Sequence, residues 1–249
     1  MGDLHVVHHS LIGIAKAALR TAADFLYPPV CIVCGCLSPE RVSPVCAECW
    51  DGMTAVNREL PLFCETRDRL RAEEVVDDLV ACVVFEKGGA FQRIAHAIKY
   101  QSMERLAVEL GRRLGKRIRQ HGLVVDLVVP VPLHRIKFRE RGYNQSERIA
   151  CGIADVCGWP VIPDAVVRTR YTGTQTALGV EERRKNVHDA FRCVSRRRTQ
   201  IDGRRCLLVD DVITTGATTT ACARALRQAG ATAVIAASIA LAQHGADQT

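Results

Sequence analysis

Residues 204–220 read Arg-Arg-Cys-Leu-Leu-Val-Asp-Asp-Val-Ile-Thr-Thr-Gly-Ala-Thr-Thr-Thr, and they constrain the fold more than any other part of the chain. Residues 206–209 are a short apolar run with the length of a buried parallel strand. Asp210 and Asp211 follow at its carboxyl end, then a hydroxyl- and glycine-rich turn holding Thr214, Thr215, Gly216, Ala217 and Thr218. From Ala217 onward the sequence reads as a helix that packs through Ala221, Ala225 and Leu226 and stops at Gly230. A strand, an acidic pair, a small-residue turn and a helix start together mark the place where an open α/β sheet takes its ligands. Turn amides, Thr hydroxyls and a helix N-terminus all favour a phosphate monoester. Asp210 and Asp211 stand too close to that anion to bind it; they suit sugar hydroxyls, or a metal bridging to them. A phosphate with a polyol beside it describes a ribose 5-phosphate. Each half alone has a plainer explanation, the acids as a helix cap and Thr-Thr-Gly as a turn, so the order of the parts carries the reading.

The rest of the chain fills in an α/β domain. Residues 79–85 form a strand, and Phe91, Ile94, Ala95 and Ile98 carry a helix to Lys99 and Tyr100. A second helix runs from about Met103 to Arg119, with its arginines on a solvated face. Residues 124–131 are a buried strand whose exit, Pro130-Val131-Pro132, cannot continue as helix and forms a rigid loop able to hold pyrophosphate through backbone groups. The basic run Arg135, Lys137, Arg139 and Arg141 follows, then a helix capped by Asn144 or Ser146. Its arginines read either as a surface stripe or, after a strand exit, as phosphate contacts. Val166, Val167 and Arg168 make a short strand, residues 191–194 another, and residues 233–241 the last. Residues 169–186 have the composition of a lid, whose Arg183, Arg184 and Lys185 would face a leaving pyrophosphate. Residues 51–74, charged and loop-like, read as a linker or a poorly ordered edge.

The N-terminal part differs in kind. Residues 10–26 read as an amphipathic helix ended by Pro28 and Pro29, suited to packing on the next module or, less well, to a membrane surface. Cys31-Ile-Val-Cys34 and Cys46-Ala-Glu-Cys49 are two C-x-x-C knuckles separated by eleven residues, the pattern of a structural zinc site; redox dithiols usually come singly. Cys36 lies within reach as a substitute for Cys34. The other eight of the twelve cysteines are scattered, as buried thiols in a reducing cytoplasm would be. No transmembrane span or signal peptide is expected, because Lys16, Arg20 and Asp24 interrupt the apolar stretch. A net charge of +7 favours anionic ligands, while only 5% aromatic residues argues against a broad base-stacking platform.

The central motif closely resembles the phosphoribosyl-pyrophosphate motif of type I phosphoribosyltransferases. Four further stretches join it: the cysteine quartet; Lys99-Tyr100; Pro130-Val131-Pro132 with Arg141-Gly142-Tyr143-Asn144-Gln145; and Thr172-x-x-Gln175-x-x-Leu178 with Arg184 and Asn186. In this order they resemble ComF-type competence proteins, ComFC-like, from about residue 25 to residue 243. The resemblance implies a zinc finger on a type I phosphoribosyltransferase-like open parallel sheet; with the N-terminal helix read above, the chain divides into that helix over 1–29, a zinc-finger module over 30–60 and the phosphoribosyltransferase-like domain over 75–245. The resemblance also implies a role with incoming single-stranded DNA and a DNA-uptake helicase during natural transformation. Many relatives carry a further cysteine pair after the first finger; only Cys64 stands there in this chain, so any larger metal module is expected to be reduced.

Carried onto this sequence, Thr214, Thr215, Gly216, Ala217 and Thr218 hold the 5-phosphate, and Asp210 and Asp211 take the ribose hydroxyls, with Mg²⁺ bridging ribose and pyrophosphate. Lys99 and the residues Pro130, Val131 and Pro132 complete the ligand site. Arg141, Asn144, Gln145, Gln175, Arg184 and Asn186 face the pyrophosphate, and Arg184 joins the two acids as a catalytic candidate. The acceptor is left open. Two other readings stay in view: a nucleotide-salvage transferase, which lacks room for a base-recognition hood, and a non-catalytic DNA-binding module with a vestigial sugar-phosphate site.

Overall fold

The computed structural model describes residues 29–37, 43–169 and 190–243. The expected N-terminal helix over 10–26 and most of the expected lid therefore lie outside the described residues. Backbone proximity divides the chain into two compact units, Met1–Gly52 and Met53–Thr249.

In the first unit the two C-x-x-C stretches fold as successive turns. The Gly35 N–H donates to the Cys31 carbonyl at 2.8 Å, and Val30 bridges to Leu37. The second stretch opens the short helix α1 (Ala47–Asp51), whose Trp50 N–H donates to the Cys46 carbonyl.

In the second unit, helix α2 (Pro61–Arg71) precedes strand β1 (Asp78–Phe85), helices α3 (Ala90–Tyr100) and α4 (Glu104–Gln120), and strand β2 (Leu127–Pro130). Short helix α5 (Arg135–Arg141) leads to α6 (Gln145–Cys157). Strands β3 (Val166–Arg168) and β4 (Phe191–Cys193) pair antiparallel, and α7 (Arg198–Ile201) follows. Strand β5 (Arg205–Ile213), helix α8 (Ala217–Gln228) and strand β6 (Ala233–Ala242) close the domain. The main sheet is parallel, in the order β1-β6-β5-β2, and Val161 extends it by one bridge beside β2.

Burial follows from the alternation of side chains along each strand. Leu79, Ala81, Leu127, Val129, Cys206, Leu208, Val234 and Ala236 share a core with Phe63 and Leu70 of α2 and Ala221, Cys222 and Leu226 of α8. The intervening Val80, Val128, Leu207 and Val209 are also buried, against the layer of α4 and α6. Connections from β2 run towards one edge of the sheet and those from β5 towards the other, so the chain direction switches between β2 and β5. A crevice opens at the carboxyl ends of such neighbours.

The 51–74 segment departs from expectation. It contains α2, with Pro61 in the first turn and Phe63, Thr66 and Leu70 buried along one face. The i, i+3, i+7 spacing of those three was the available signal; the surrounding charges masked it.

Helices α4 and α6 approach closely because glycine faces glycine. A Cβ on Gly152 would stand 2.0 Å from the Val108 carbonyl oxygen, and one on Gly111 would stand 2.0 Å from that of Ile149. No rotamer change relieves a clash with backbone. Gly152→Ala is expected to destabilise the fold by about 2–3 kcal/mol, the cost of overpacking a tight core, read as a lower urea midpoint with an unchanged slope.

Candidate functional site

Strand β5 does not end before the acids, as the sequence suggested, but continues through them to Ile213. Asp210 lies opposite Ser238 and Val212 opposite Ala240 in the β6 ladder. Although they are consecutive on the strand, the two carboxyl groups stay within hydrogen-bonding reach of each other. Asp211 is 6% exposed, and its Oδ2 pairs with Lys99 Nζ at 2.8 Å, from the last turn of α3. Asp210 is half-buried; its Oδ1 accepts from Ser146 Oγ at 3.0 Å and from the Asp211 N–H at 2.9 Å.

These partners split the two acids chemically. Burial pushes the Asp210 carboxyl up, the neighbouring Asp211 charge pushes it further, and the two hydrogen bonds offset only part, leaving it at about 8. Burial acts on Asp211 in the same sense, but the Lys99 ammonium outweighs it and holds that carboxyl below its ordinary value. For Lys99, burial alone would favour the neutral amine; the Asp211 and Asp210 carboxylates reverse the sign and keep it charged.

The Arg141–Ser146 stretch builds this arrangement. The Tyr143 hydroxyl donates to the Ile98 carbonyl, which fixes the end of α3 from which Lys99 projects. Arg141 lies over the Tyr100 ring, 5.5 Å from its centroid. Asn144 caps α6: its Oδ1 accepts the Ser146 N–H at 3.1 Å, while Nδ2 donates to the Val131 carbonyl at 3.0 Å. One donor and one acceptor of the Asn144 side chain are thus engaged by protein. Gln145 is buried, with Oε1 lacking a hydrogen-bond partner among the described residues. No N–H of Pro130, Val131 or Pro132 is free for the expected backbone grip. Neither proline has an N–H, and the Val131 N–H donates to the Val209 carbonyl at 2.8 Å as part of the sheet. Gln175, Arg184 and Asn186 lie outside the described residues.

The turn after β5 has the opposite character. Gly216 adopts φ +79°, and a Cβ there would meet Leu70 Cδ2 at 2.6 Å, so both backbone conformation and space require glycine. Among the described residues the N–H groups of Thr215, Gly216 and Thr218 have no protein acceptor, and that of Ala217 reaches Thr215 Oγ1 only at 3.4 Å. The turn therefore presents several main-chain donors at the start of a twelve-residue helix. Two contributors were not singled out as site residues from the sequence. Ser146 was read only as a cap and instead holds Asp210; Arg69 of α2 donates to the Thr214 carbonyl at 3.1 Å.

In the first unit the ligand atoms of Cys31, Cys34, Cys46 and Cys49 all lie within 4.8 Å of one another, with Cys34 Sγ 3.8 Å from Cys46 Sγ. Tetrahedral zinc with bonds of about 2.3 Å needs sulfurs about 3.8 Å apart, so this quartet could hold a zinc ion. Burial raises the Cys31 thiol, but N–H groups of Cys46, Cys34 and Val33 directed at its sulfur bring it down to about 6. Cys36 stands outside the quartet, its side chain hydrogen-bonded to Cys34.

An open parallel sheet with an acidic pair and an amide-presenting turn at its switch point defines a phosphoribosyltransferase-type domain, and residues 161–248 match the phosphoribosyl transferase domain family. DNA utilization protein YhgH of Salmonella typhimurium is 30% identical over 211 residues, covering 82% of this chain and 87% of that protein. The Escherichia coli K12 protein of the same name is 34% identical over 148 residues, and the match spans 63% of its length and 57% of this chain. Competence protein F of Haemophilus influenzae is 34% identical over 105 residues, 42% of this chain and 45% of that one. The chain belongs to this family, the ComF family of competence and DNA-utilization proteins. Among solved structures, the glutamine phosphoribosylpyrophosphate amidotransferase of Bacillus subtilis, complexed with ADP and GMP, is similar over 52% of this chain and 26% of that one, with 26% identity and a TM-score of 0.35. A protein of Thermus thermophilus is similar over 57% of this chain and 85% of that one, with 18% identity and a TM-score of 0.34. Among the described residues no helix is long and apolar enough to cross a membrane.

The raised Asp210 carboxyl has a consequence for stability. An acid whose folded value lies above its unfolded value of 3.8 contributes stability that is fully present below that pH and is lost as pH rises through about 8. Asp210→Asn keeps a neutral side chain at every pH. The variant is expected to gain stability over the unliganded native protein as pH rises from about 4 to about 8, measured by urea unfolding across that range.

Proposed function

We propose that the crevice at the ends of β2 and β5 binds phosphoribosyl pyrophosphate with Mg²⁺, and that the domain transfers the ribosyl group to an acceptor nucleophile. One observation carries this reading: unengaged main-chain donors at Thr215, Gly216 and Thr218 follow an acidic pair of which Asp211 is buried and Asp210 half-buried. The 5-phosphate accepts from those amides and from the Thr215 and Thr218 hydroxyls. Asp210 and Asp211 take the ribose hydroxyls; for that, Asp211 exchanges part of its contact with Lys99 for the sugar. Lys99, freed towards the crevice, and Arg141 supply positive charge on the pyrophosphate side. Asp210, with oxygens of the ligand, would hold Mg²⁺, which would supply charge neutralisation on the pyrophosphate side. In the transfer the bond from C1′ to the pyrophosphate oxygen breaks and pyrophosphate keeps the electron pair. The acceptor bonds to C1′ and releases its proton. Positioning and charge stabilisation dominate such a step.

A second surface favours a nucleic-acid role alongside this. Helix α5 exposes Ile136 at 45% and Phe138 at 46% between Arg135, Lys137 and Arg139. Apolar faces interleaved with cations suit single-stranded nucleic acid, and the relatives named for DNA utilization and competence support that class of ligand.

Calorimetry is expected to show phosphoribosyl pyrophosphate binding that depends on Mg²⁺ and weakens at least tenfold in the double variant Asp210→Ala with Asp211→Ala; unchanged affinity removes the sugar-site assignment. Affinity for an unstructured DNA oligonucleotide is expected to fall steeply with salt and several-fold further in Phe138→Ala with Arg139→Ala. Binding indifferent to salt and to these changes rejects the DNA surface.

A further inference from the structure

The amide-presenting turn has a support drawn from a distant part of the chain. Arg69, in the last turn of α2, donates from one terminal nitrogen, Nη2, to the Thr214 carbonyl at 3.1 Å and to Thr66 Oγ1 at 3.3 Å. Thr66 is wholly buried, so the hydroxyl that steadies the guanidinium has a fixed place. The next residue, Leu70, fills the space beneath Gly216.

The Thr214 carbonyl and the Thr215 N–H are the two ends of one peptide group. No cis peptide occurs among the described residues, and in a trans peptide the C=O and N–H point in opposite directions. A cation holding the carbonyl on one side therefore turns the N–H to the other side, where no described protein acceptor meets it. The same contact draws electron density from the amide and makes its N–H a stronger donor, since hydrogen bonds in a chain polarise one another. Packing of α2 does not call for this arginine, because Phe63, Thr66 and Leu70 already bury that helix face. Half-burying a guanidinium whose Nε finds no acceptor is costly, and an anion across the peptide would offset that cost.

We propose that Arg69 is a positioning residue for the phosphate monoester at the turn: it orients and polarises the peptide between Thr214 and Thr215 so that the Thr215 N–H donates to a phosphate oxygen. This rests on the ribose 5-phosphate reading of the turn.

The test compares the full chain with Arg69→Met and Arg69→Lys, using ribose 5-phosphate and Mg²⁺-pyrophosphate as probes. Without ligand, the Thr215 amide proton is expected to shift upfield in Arg69→Met, as polarisation is lost. Ribose 5-phosphate is expected to bind Arg69→Met at least tenfold more weakly, with part of the loss recovered in Arg69→Lys. Mg²⁺-pyrophosphate affinity is expected to stay within twofold. An Arg69→Met protein that binds ribose 5-phosphate like the native chain, or that loses both probes equally, overturns the proposal. If Arg69→Met does not fold, Thr66→Val, which removes the hydroxyl that steadies the guanidinium, is judged by the same selective loss. A native chain that binds no ribose 5-phosphate defeats the underlying reading of the turn, a result distinct from equal binding by native and variant.

Discussion

Two adjacent carboxylates at the end of a central strand cannot be buried without partners. Stranding one buried charge costs about 3–5 kcal/mol, a large share of the stability of a domain. Much of the local architecture answers that requirement. Lys99 neutralises Asp211, Ser146 donates to Asp210, and the elements bearing these groups are tied down in turn. Tyr143 fixes the end of α3, and Asn144 fixes the start of α6 against the exit of β2. The result is an acidic pair whose members differ in protonation although they are neighbours in sequence. The charges of the crevice are thus already balanced before any ligand arrives.

The central motif was legible because each of its parts does a local job. An apolar run makes a strand, glycine permits a positive φ, and small hydroxyl residues start a helix. Helices α3 and α4 were legible for the same reason, through apolar periodicity. What was not legible depended on hydrogen-bond partners distant in sequence. Pro130, Val131 and Pro132 have the look of an anion loop, but the one N–H among them belongs to the ladder with β5. Asn144 has the look of a ligand contact, and its side chain instead joins a helix start to a strand exit. In both places the hydrogen-bond partner lies outside the local sequence, where a reading of the motif alone does not reach.

Helix α2 illustrates the converse. Its charged composition concealed three buried residues, and two of its side chains reach the turn between β5 and α8 across some 145 positions of sequence. Local charge density reports the solvated face of a helix and says nothing of the buried one. The cysteine quartet needed no such long-range information. Its spacing specifies its chemistry directly, and the turn and helix start that present the sulfurs are set within each knuckle.

The glycine contact between α4 and α6 reaches beyond packing. Gly152 lies six residues, about 9 Å of helix rise, from Ser146. The depth at which α6 seats on α4 therefore bears on how far the Ser146 hydroxyl stands from Asp210, one of the lesser contributions to the acidity of that carboxyl. Two missing methyl groups, one on each helix, thus reach by way of the helix seat to a proton at the crevice. Drift at this crossing over evolutionary time would retune the acid without altering any residue that touches it.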